Sequence, residues 1–466
     1  MRDMNHTADS DRSVYFTSLG CSKNLVDSQV MLGHLVQDKF KVVNDPTEAK
    51  VIVVNTCSFV EAAKKESIET VLELADFKNL EKGQCEALVM SGCMSQRYSH
   101  DLEAEIPEVD LFIGTGEYSK ISQLLSLLKD GKLEKKSFVD VPKYIHSELD
   151  PRINTNPGHM AYLKVSEGCD RNCTFCIIPT LRGSLRSRSI ESLVKEAKAL
   201  GEKGVRELNL ISQDFSSYGK DLIGEKEKGI ASNQIYPLLS ALSEVEEIDW
   251  LRIFYFYPDD LTEDVMDLIA SNSKICHYLD MPIQHFSNKM LKRMNRFITG
   301  EEIVNKIKIL REKIPNIVLR TSVIVGFPGE TEEDFQTLLN AVIELKFDHL
   351  GVFKYSDEEG TPAFRLPEKI DQETINDRYQ QVYEAQKEIV EEKNQSMLGE
   401  VMEVLVEGPH PETDLLIVGR SKGQAPDIDG MIIINDGLAY PGDMVSVKIT
   451  EAHEYDLIGK IIPSDK

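Results

Sequence analysis

The sequence predicts a multidomain α/β protein in three parts: an open parallel α/β sheet, a central partial (β/α)-barrel, and a small antiparallel β-barrel. Three observations predict it. The chain has 466 residues, too many for one core at roughly 100 to 200 residues per domain. Short apolar runs alternate with segments of helical period through two long stretches, the signature of parallel strands covered by helices. From residue 400 the pattern changes to short alternating strands parted by Gly, Pro and Asp, as in a small β-domain. The expected boundaries are 12–145, 155–396 and 397–466.

In the first part "SVYFTSLG" (13–20), "KVIVVNT" (50–56) and "EALVMSG" (86–92) read as buried strands. Each leads into a helical segment, such as "NLVDSQVMLGHLVQ" after the first. Each strand also ends at a cysteine: Cys21, Cys57 and Cys93, spaced 36 residues apart both times. That spacing is about one strand–helix unit, so the three thiols are placed to converge at the carboxyl edge of one sheet, where open α/β sheets bind ligands. A single Cys after a strand is more often a small buried residue; three at equivalent positions favour a shared ligand. Cys85 and Cys276 fall outside this pattern and read as core residues.

The second part opens with "AYLKVSEGC" (161–169) and continues through the runs "ELNLIS", "WLRIFYFY", "HYLDMPIQ", "IVLRTSVIVGF" and "HLGVFKYS". Six strands over about 200 residues suit a barrel whose active face is formed by the strand carboxyl ends. "DRYQQVYEAQKEIVEEKNQSMLG" (377–399) reads as a charged helix leading out. In the third part "EVMEVLVEG", "DLLIVGRS", "GMIIIND" and "DMVSVKITEA" read as strands.

Composition limits the function. The N-terminus "MRDMNHTADSDRS" is polar, and no apolar run approaches the length of a membrane span. A cytoplasmic protein is expected, whose eight cysteines serve as metal ligands, catalytic thiols or small apolar groups in preference to disulfides. The net charge of −25 disfavours nucleic acid and favours basic partners.

The stretch "GCDRNCTFCIIP" (168–179) follows the first barrel strand and places Cys169, Cys173 and Cys176 in a C-x3-C-x2-C pattern. Structural zinc sites normally present four ligands in paired knuckles. Three thiolates on a four-iron four-sulfur cluster leave one iron open to a small molecule, whereas a ferredoxin supplies four. A redox thiol cluster and a zinc site borrowing a distant ligand are the competing readings.

Cys169, Cys173, Phe175 and Cys176 match C-x3-C-x-aromatic-C, and here the sequence resembles the radical S-adenosylmethionine (SAM) superfamily. The resemblance implies a 4Fe-4S cluster whose open iron chelates SAM and cleaves it to a 5′-deoxyadenosyl radical, with Phe175 near the adenine. It also implies SAM contacts from "ISQD" (211–214), hence Ser212, Gln213 and Asp214, and from "VIVGFPGET" (323–331), hence Gly326, Pro328 and Gly329. Taken alone, Gly-Phe-Pro-Gly is a common turn.

The N-terminal motifs "LGCSKNLVDSQ", "VNTCSFVEAAKKES" and "SGCMSQRY" narrow the resemblance to the methylthiotransferases, over nearly the whole chain and in order. This implies a second 4Fe-4S cluster on Cys21, Cys57 and Cys93, a C-terminal barrel of the TRAM type, and replacement of an unactivated C–H bond by C–S–CH3, with SAM as methyl donor and radical source. A sulfur donor and an electron donor such as flavodoxin or ferredoxin are implied as partners. No catalytic residue is assigned beyond the clusters.

Family members modify either adenosine in transfer RNA or an aspartate of a ribosomal protein. Residues 397–466 carry 13 acidic against 5 basic side chains, net −8, which opposes an RNA partner and favours a basic protein. "GRSKGQAPDIDG" (419–430) and "YLDMPIQH" (278–285) resemble the branch acting on the twelfth small-subunit ribosomal protein, free or within the small subunit or ribosome. The rival readings are a transfer-RNA methylthiotransferase and, more distantly, an iron–sulfur electron carrier. Arg182, Arg186 and Arg188 are candidates for the SAM carboxylate, the substrate aspartate or neighbouring carboxylates; Arg320 and Gln284 are placed at strand ends, and His285 reads as a core residue unless a polar partner lies nearby.

Overall fold

A computed structural model describes residues 12–222 and 234–463, which form two units. The first contains a six-stranded sheet built from β1 (Ser13–Ser18), β2 (Lys41–Val42), β3 (Val51–Thr56), β4 (Ala87–Gly92), β5 (Leu111–Ile113) and β6 (Ser137–Phe138), in the order β2-β1-β3-β4-β5-β6. Every pairing is parallel. The connecting helices are α1 (Ser22–Gln37), α2 (Glu61–Ala75), α3 (Cys93–Glu105) and α4 (Ile121–Lys129).

Alternation along the strands divides the core between two faces. Ile52, Val54, Leu88 and Met90 pack with Val71 and Leu74 of α2 and Met94 and Leu102 of α3. Val14, Val53, Val89 and Leu111 pack with Val30, Met31 and Leu35 of α1 and Leu124 and Leu125 of α4. A sheet apolar on both sides accounts for the unbroken aliphatic runs in its strands.

Beyond Thr155 the chain passes between the units. β7 (Met160–Lys164) belongs to the second, whereas β8 (Ser166–Glu167), α5 (Ile178–Arg182) and β9 (Arg186–Ser187) belong to the first, β8 and β9 forming a short antiparallel pair. The second unit continues with α6 (Ile190–Gly201), β10 (Glu207–Ile211), α7 (Ile235–Ser243), β11 (Trp250–Ile253), α8 (Glu263–Ser271), β12 (Ile275–Gln284), α9 (Asn288–Arg293), α10 (Gly300–Lys313), β13 (Val318–Val325), α11 (Glu332–Leu345), β14 (His349–Lys354) and α12 (Gln372–Ser396). Its sheet is parallel in the order β14-β13-β12-β11-β10-β7, an open six-stranded barrel. "WLRIFYFY" is strand only over its first four residues; Tyr255 takes φ +59° and turns the chain away.

A closed barrel follows, of β15 (Val401–His410), β16 (Thr413–Ser421), β17 (Ile432–Asp436), β18 (Met444–Ala452) and β19 (Leu457–Ile461). The sequence reading lacked β19, whose "LIGKI" is too short to show a period. This strand closes the barrel by pairing antiparallel with β18 and parallel with β17.

Glu207 lies at the foot of β10, wholly buried, 2.9 Å from Arg252 Nε and 2.6 Å from Arg420 Nη2 of the small barrel. Burial raises the cost of its charge, but Arg420 and Arg252 outweigh this and hold its pKa down, at about 2. A carboxylate whose folded pKa is depressed contributes stability above its unfolded value, lost as pH falls toward the folded one. Glu207→Gln should therefore remove stability on the order of 3 kcal/mol at neutral pH and flatten the acid limb of the stability profile between about pH 4.5 and 2. Urea unfolding followed at several pH values measures both effects.

Candidate functional site

The parallel register brings the first cysteine set to one edge. Thr56 pairs with Gly92 at the ends of β3 and β4, so Cys57 and Cys93 leave adjacent strands at the same level. Cys21 follows the neighbouring β1 and caps α1. Gly92 has φ +91°, and a Cβ there would lie 2.2 Å from Asn55 Oδ1; only glycine lets β4 turn directly into α3 with Cys93 as its first residue. Gly20 has φ +88°, and a Cβ there would lie 2.7 Å from Cys57 Cβ, so this glycine makes room for the neighbouring thiol.

Cys57 and Cys93 are buried and Cys21 is exposed. Burial raises the pKa of Cys57 and pushes that of Cys93 up to about 12, although the Arg182 guanidinium favours both thiolates. No disulfide joins any of the eight cysteines. Among the described residues no three His, Cys, Asp or Glu are grouped to hold a single metal ion. A four-iron cluster makes a different demand, since each thiolate binds its own iron. Three soft donors at one sheet edge, one at the N-terminus of α3 and beside a guanidinium, fit such a cluster.

Of the candidate roles left open for Arg182, the structure shows the one toward neighbouring carboxylates. Its side chain is 2% exposed. Its Nη1 lies 2.5 Å from Asp27 Oδ2 and 3.4 Å from Glu167 Oε2, and its Nη2 lies 2.6 Å from Asn24 Oδ1 and 3.4 Å from Cys93 Sγ. Asn24 in turn donates to the carbonyls of Leu19 and Thr56, both at 2.9 Å, tying together the strand ends that carry Cys21 and Cys57. The spacing of Asn24, Asp27 and Ser28 on one face of α1, just after Cys21, was the available signal for a buried polar cluster. Arg186 donates to the carbonyls of Ser184 and Arg182, and Arg188 lies 3.2 Å from His146 Nε2.

The second cysteine set divides between the units. In the first, the Cys169 amide donates to Gly183 O at 3.1 Å, and its Sγ accepts from the Arg171 amide at 3.4 Å. In the second, the Cys176 amide donates to Cys173 O at 3.1 Å, and Thr174 is held by the carbonyls of Met294 and Arg293 and by the Ala363 amide. Phe175 packs on Met290, Met294, Ile324, Phe327 and Ala363, beside the carboxyl end of β13.

Ser212, Gln213 and Asp214 follow β10 at that same carboxyl edge. Ser212 is fully buried and its hydroxyl has no hydrogen-bond partner among the described residues, an orphan that suits a polar ligand. Asp214 accepts from Ser216 and Ser217 at 2.5 and 2.7 Å and so shapes its own turn. In the Gly-Phe-Pro-Gly turn, the amides of Gly326 and Phe327 donate to Glu330 Oε2 at 2.9 and 3.3 Å. Glu330 also binds Arg378 at 2.8 Å and lies 3.6 Å from His285 Nε2. His285 therefore has the polar partner that its core reading lacked, and its Nδ1 accepts from the Phe286 and Ser287 amides. Pro328 sits in the same turn, and Gly329 has φ +81°. Cys85 and Cys276 are buried, burial pushing each thiol up to about 11, as core residues.

One placement is corrected. Arg320 is the third residue of β13, at the opposite end from the carboxyl edge, 3.4 Å from Asp280 and 3.5 Å from Asp429. The strand's bounds, which the run "IVLRTSVIVGF" does not mark, decide at which end Arg320 lies. Gln284, the last residue of β12, does stand at the carboxyl end, with φ +76°.

An open parallel barrel with a three-cysteine loop after its first strand defines a radical SAM enzyme. Residues 163–342 match the radical SAM superfamily, 13–114 the uncharacterized protein family UPF0004 and 398–462 the TRAM domain. In fold the chain is similar to the radical SAM methyltransferase TsrM from Kitasatospora setae, at TM-score 0.53 and 15% identity over 76% of this chain and 74% of that one. It is 49% identical to the ribosomal protein uS12 methylthiotransferase RimO of Myxococcus xanthus, over 97% of this chain and 92% of the relative, and 47% identical to RimO of Bdellovibrio bacteriovorus, over 97% and 98%. The chain belongs to this family, the ribosomal protein uS12 methylthiotransferases RimO.

Proposed function

We propose that this protein methylthiolates the β-carbon of one aspartate of ribosomal protein uS12 by a radical SAM mechanism. The near-full-length identity to relatives of that name carries the reading. In it, Cys169, Cys173 and Cys176 hold a 4Fe-4S cluster that binds SAM, while Cys21, Cys57 and Cys93 hold an auxiliary one. Together these groups supply a hydrogen-abstracting radical and a methylthio group; the protein positions the reacting atoms and excludes water.

The chain's own residues have defined parts. Asn24 and Arg182 hold the auxiliary thiol edge in place, and Arg182 offsets the negative charge that thiolates bring into a buried site. Ser212 offers a hydroxyl to SAM at the carboxyl edge of the barrel, and Phe175 offers a ring. Glu330 holds the Gly326–Gly329 turn from behind.

The surface of the small barrel supports a basic protein partner. Leu415, Leu438 and Tyr440 are exposed on this domain, as are the acids Glu412, Asp414 and Asp436. Exposed apolar and acidic side chains suit a basic protein better than a phosphate backbone. Among the described residues no helix is long and apolar enough to cross a membrane.

The test is an anaerobic reaction of reconstituted protein with SAM, a reductant and either small ribosomal subunits or unmodified transfer RNA. The expected product is uS12 carrying one added methylthio group on an aspartate. Methylthio-adenosine in the RNA, with uS12 unchanged, overturns the assignment in favour of the transfer-RNA branch.

A further inference from the structure

The segment between β16 and β17, Arg420 to Asp429, belongs to "GRSKGQAPDIDG", which resembled a substrate-branch motif. Each of the six strands of the open barrel sends one side chain to it. From β7, Tyr162 donates to Asp427 Oδ2 at 3.2 Å. From β10, Glu207 accepts from Arg420 at 2.6 Å. From β11, Arg252 donates to the carbonyls of Lys422 and Ser421 at 2.6 and 3.3 Å. From β12, Tyr278 donates to Asp429 Oδ2 at 2.8 Å. From β13, Arg320 Nε lies 3.5 Å from Asp429 Oδ1. From β14, His349 has Nε2 3.0 Å from Gly423 O and Nδ1 3.4 Å from Asp429 Oδ1.

All six side chains lie in the first four residues of their strands. The segment is also braced internally: Arg420 donates to Gln424 O at 3.1 Å, and the Ala425 amide donates to Asp429 Oδ2 at 2.8 Å. Arg420, Gln424 and Ala425 are buried, and the Asp429 side chain is 1% exposed. These side chains are committed to the barrel, while Asp427 and Ile428 of the same segment stay exposed.

We propose that Arg420–Asp429 is a plug: it seals the amino-terminal mouth of the barrel and locks the small β-barrel there, making that domain a remote anchor for the protein substrate. The inference rests on the functional reading above and deepens it. Cys173, Phe175 and Cys176 lie at the carboxyl edge of the same barrel, and the eight residues of β13 separate the two ends by about 25 Å at roughly 3.3 Å per residue. A substrate gripped by the small barrel must span at least that distance, as a folded protein or ribosomal subunit can and a short loop peptide cannot. The motif then acts on specificity through fixed geometry, with each anchor on a rigid strand.

Two measurements on the full chain test this. Hydrogen exchange of the substrate-free enzyme should show the bonded amides of Ser421, Gln424 and Ala425 exchanging far more slowly than the hairpin tip at 410–413, with no further protection on adding small subunits. Fast exchange, or new protection on binding, overturns the plug whatever the enzyme modifies. Asp429→Ala should raise KM for small subunits at least tenfold while leaving kcat, uncoupled SAM cleavage and KM for a short peptide carrying the target loop unchanged. Tyr278→Phe, which removes one hydrogen bond and keeps the ring, should give a smaller rise of the same kind should the alanine variant fail to fold. An unchanged KM for subunits in a folded variant, or equal rises for subunit and peptide, overturns the proposal. If the unaltered enzyme modifies no protein at all, it is the functional reading that fails, and the exchange result still decides the plug.

Discussion

Replacing Cys21, Cys57 and Cys93 together by alanine should lower the iron content of anaerobically reconstituted protein from about eight to about four per chain. It should abolish methylthio transfer while leaving reductive cleavage of SAM intact. The three thiols leave β1, β3 and β4 at the edge of the sheet, outside its two aliphatic cores. Their loss therefore removes ligands without removing the packing that forms the sheet, and Cys to Ala leaves little cavity. The complementary variant, with Cys169, Cys173 and Cys176 changed to alanine, should also retain about four irons yet lose both SAM cleavage and transfer. Iron analysis with quantification of 5′-deoxyadenosine separates the two. If the first variant keeps its full iron content, those thiols are core residues.

Arg182→Met should destabilise the first unit by about 3–5 kcal/mol, the cost of removing one partner from a buried ion pair. Asp27 and Glu167, at 4% and 2% side-chain exposure, would lose the Arg182 guanidinium from a low-dielectric site, and Asn24 would lose the donor to its Oδ1. Arg182→Lys should recover part of that loss, since an ammonium restores charge but lacks the planar fork that reaches Asp27, Asn24 and Cys93 at once. Urea unfolding midpoints give the stability order, wild type above lysine above methionine. Iron content under native conditions reports whether the thiol edge survives in each. A methionine variant as stable as wild type would show that the ion pair makes no net contribution.

Much of the fold could be read from the chain because its signals are local. The aliphatic runs "VIVV" and "ALVM" must be buried on both faces wherever they lie, and each is followed by a helix-period segment, so parallel sheets with crossover helices follow. The repeated 36-residue interval between Cys21, Cys57 and Cys93 was legible for the same reason: one strand–helix unit has a nearly constant length. "WLRIFYFY" misled at its end because an aromatic run has strand propensity wherever it occurs, whereas Tyr255 at φ +59° is held by tertiary context. "LIGKI" carries too few residues for any period to show, and only the need to close a barrel makes it a strand.

By itself the sequence determined the order of the three folds, the sheet edge that bears the first cysteines, the radical SAM loop and the acidic character of the C-terminal domain. Only the tertiary structure decided which charges serve one another. Arg182 lies 155 residues from Asp27 and Arg420 lies 213 from Glu207, and no local pattern selects a partner at that separation. The physical reason is that a buried ionic group is stable only where the fold brings a counter-charge and hydrogen-bond acceptors within a few ångströms. The same reason applies within "GRSKGQAPDIDG": Arg420 and Asp429 have the composition of surface residues, and the barrel's six strands supply what lets their side chains be buried.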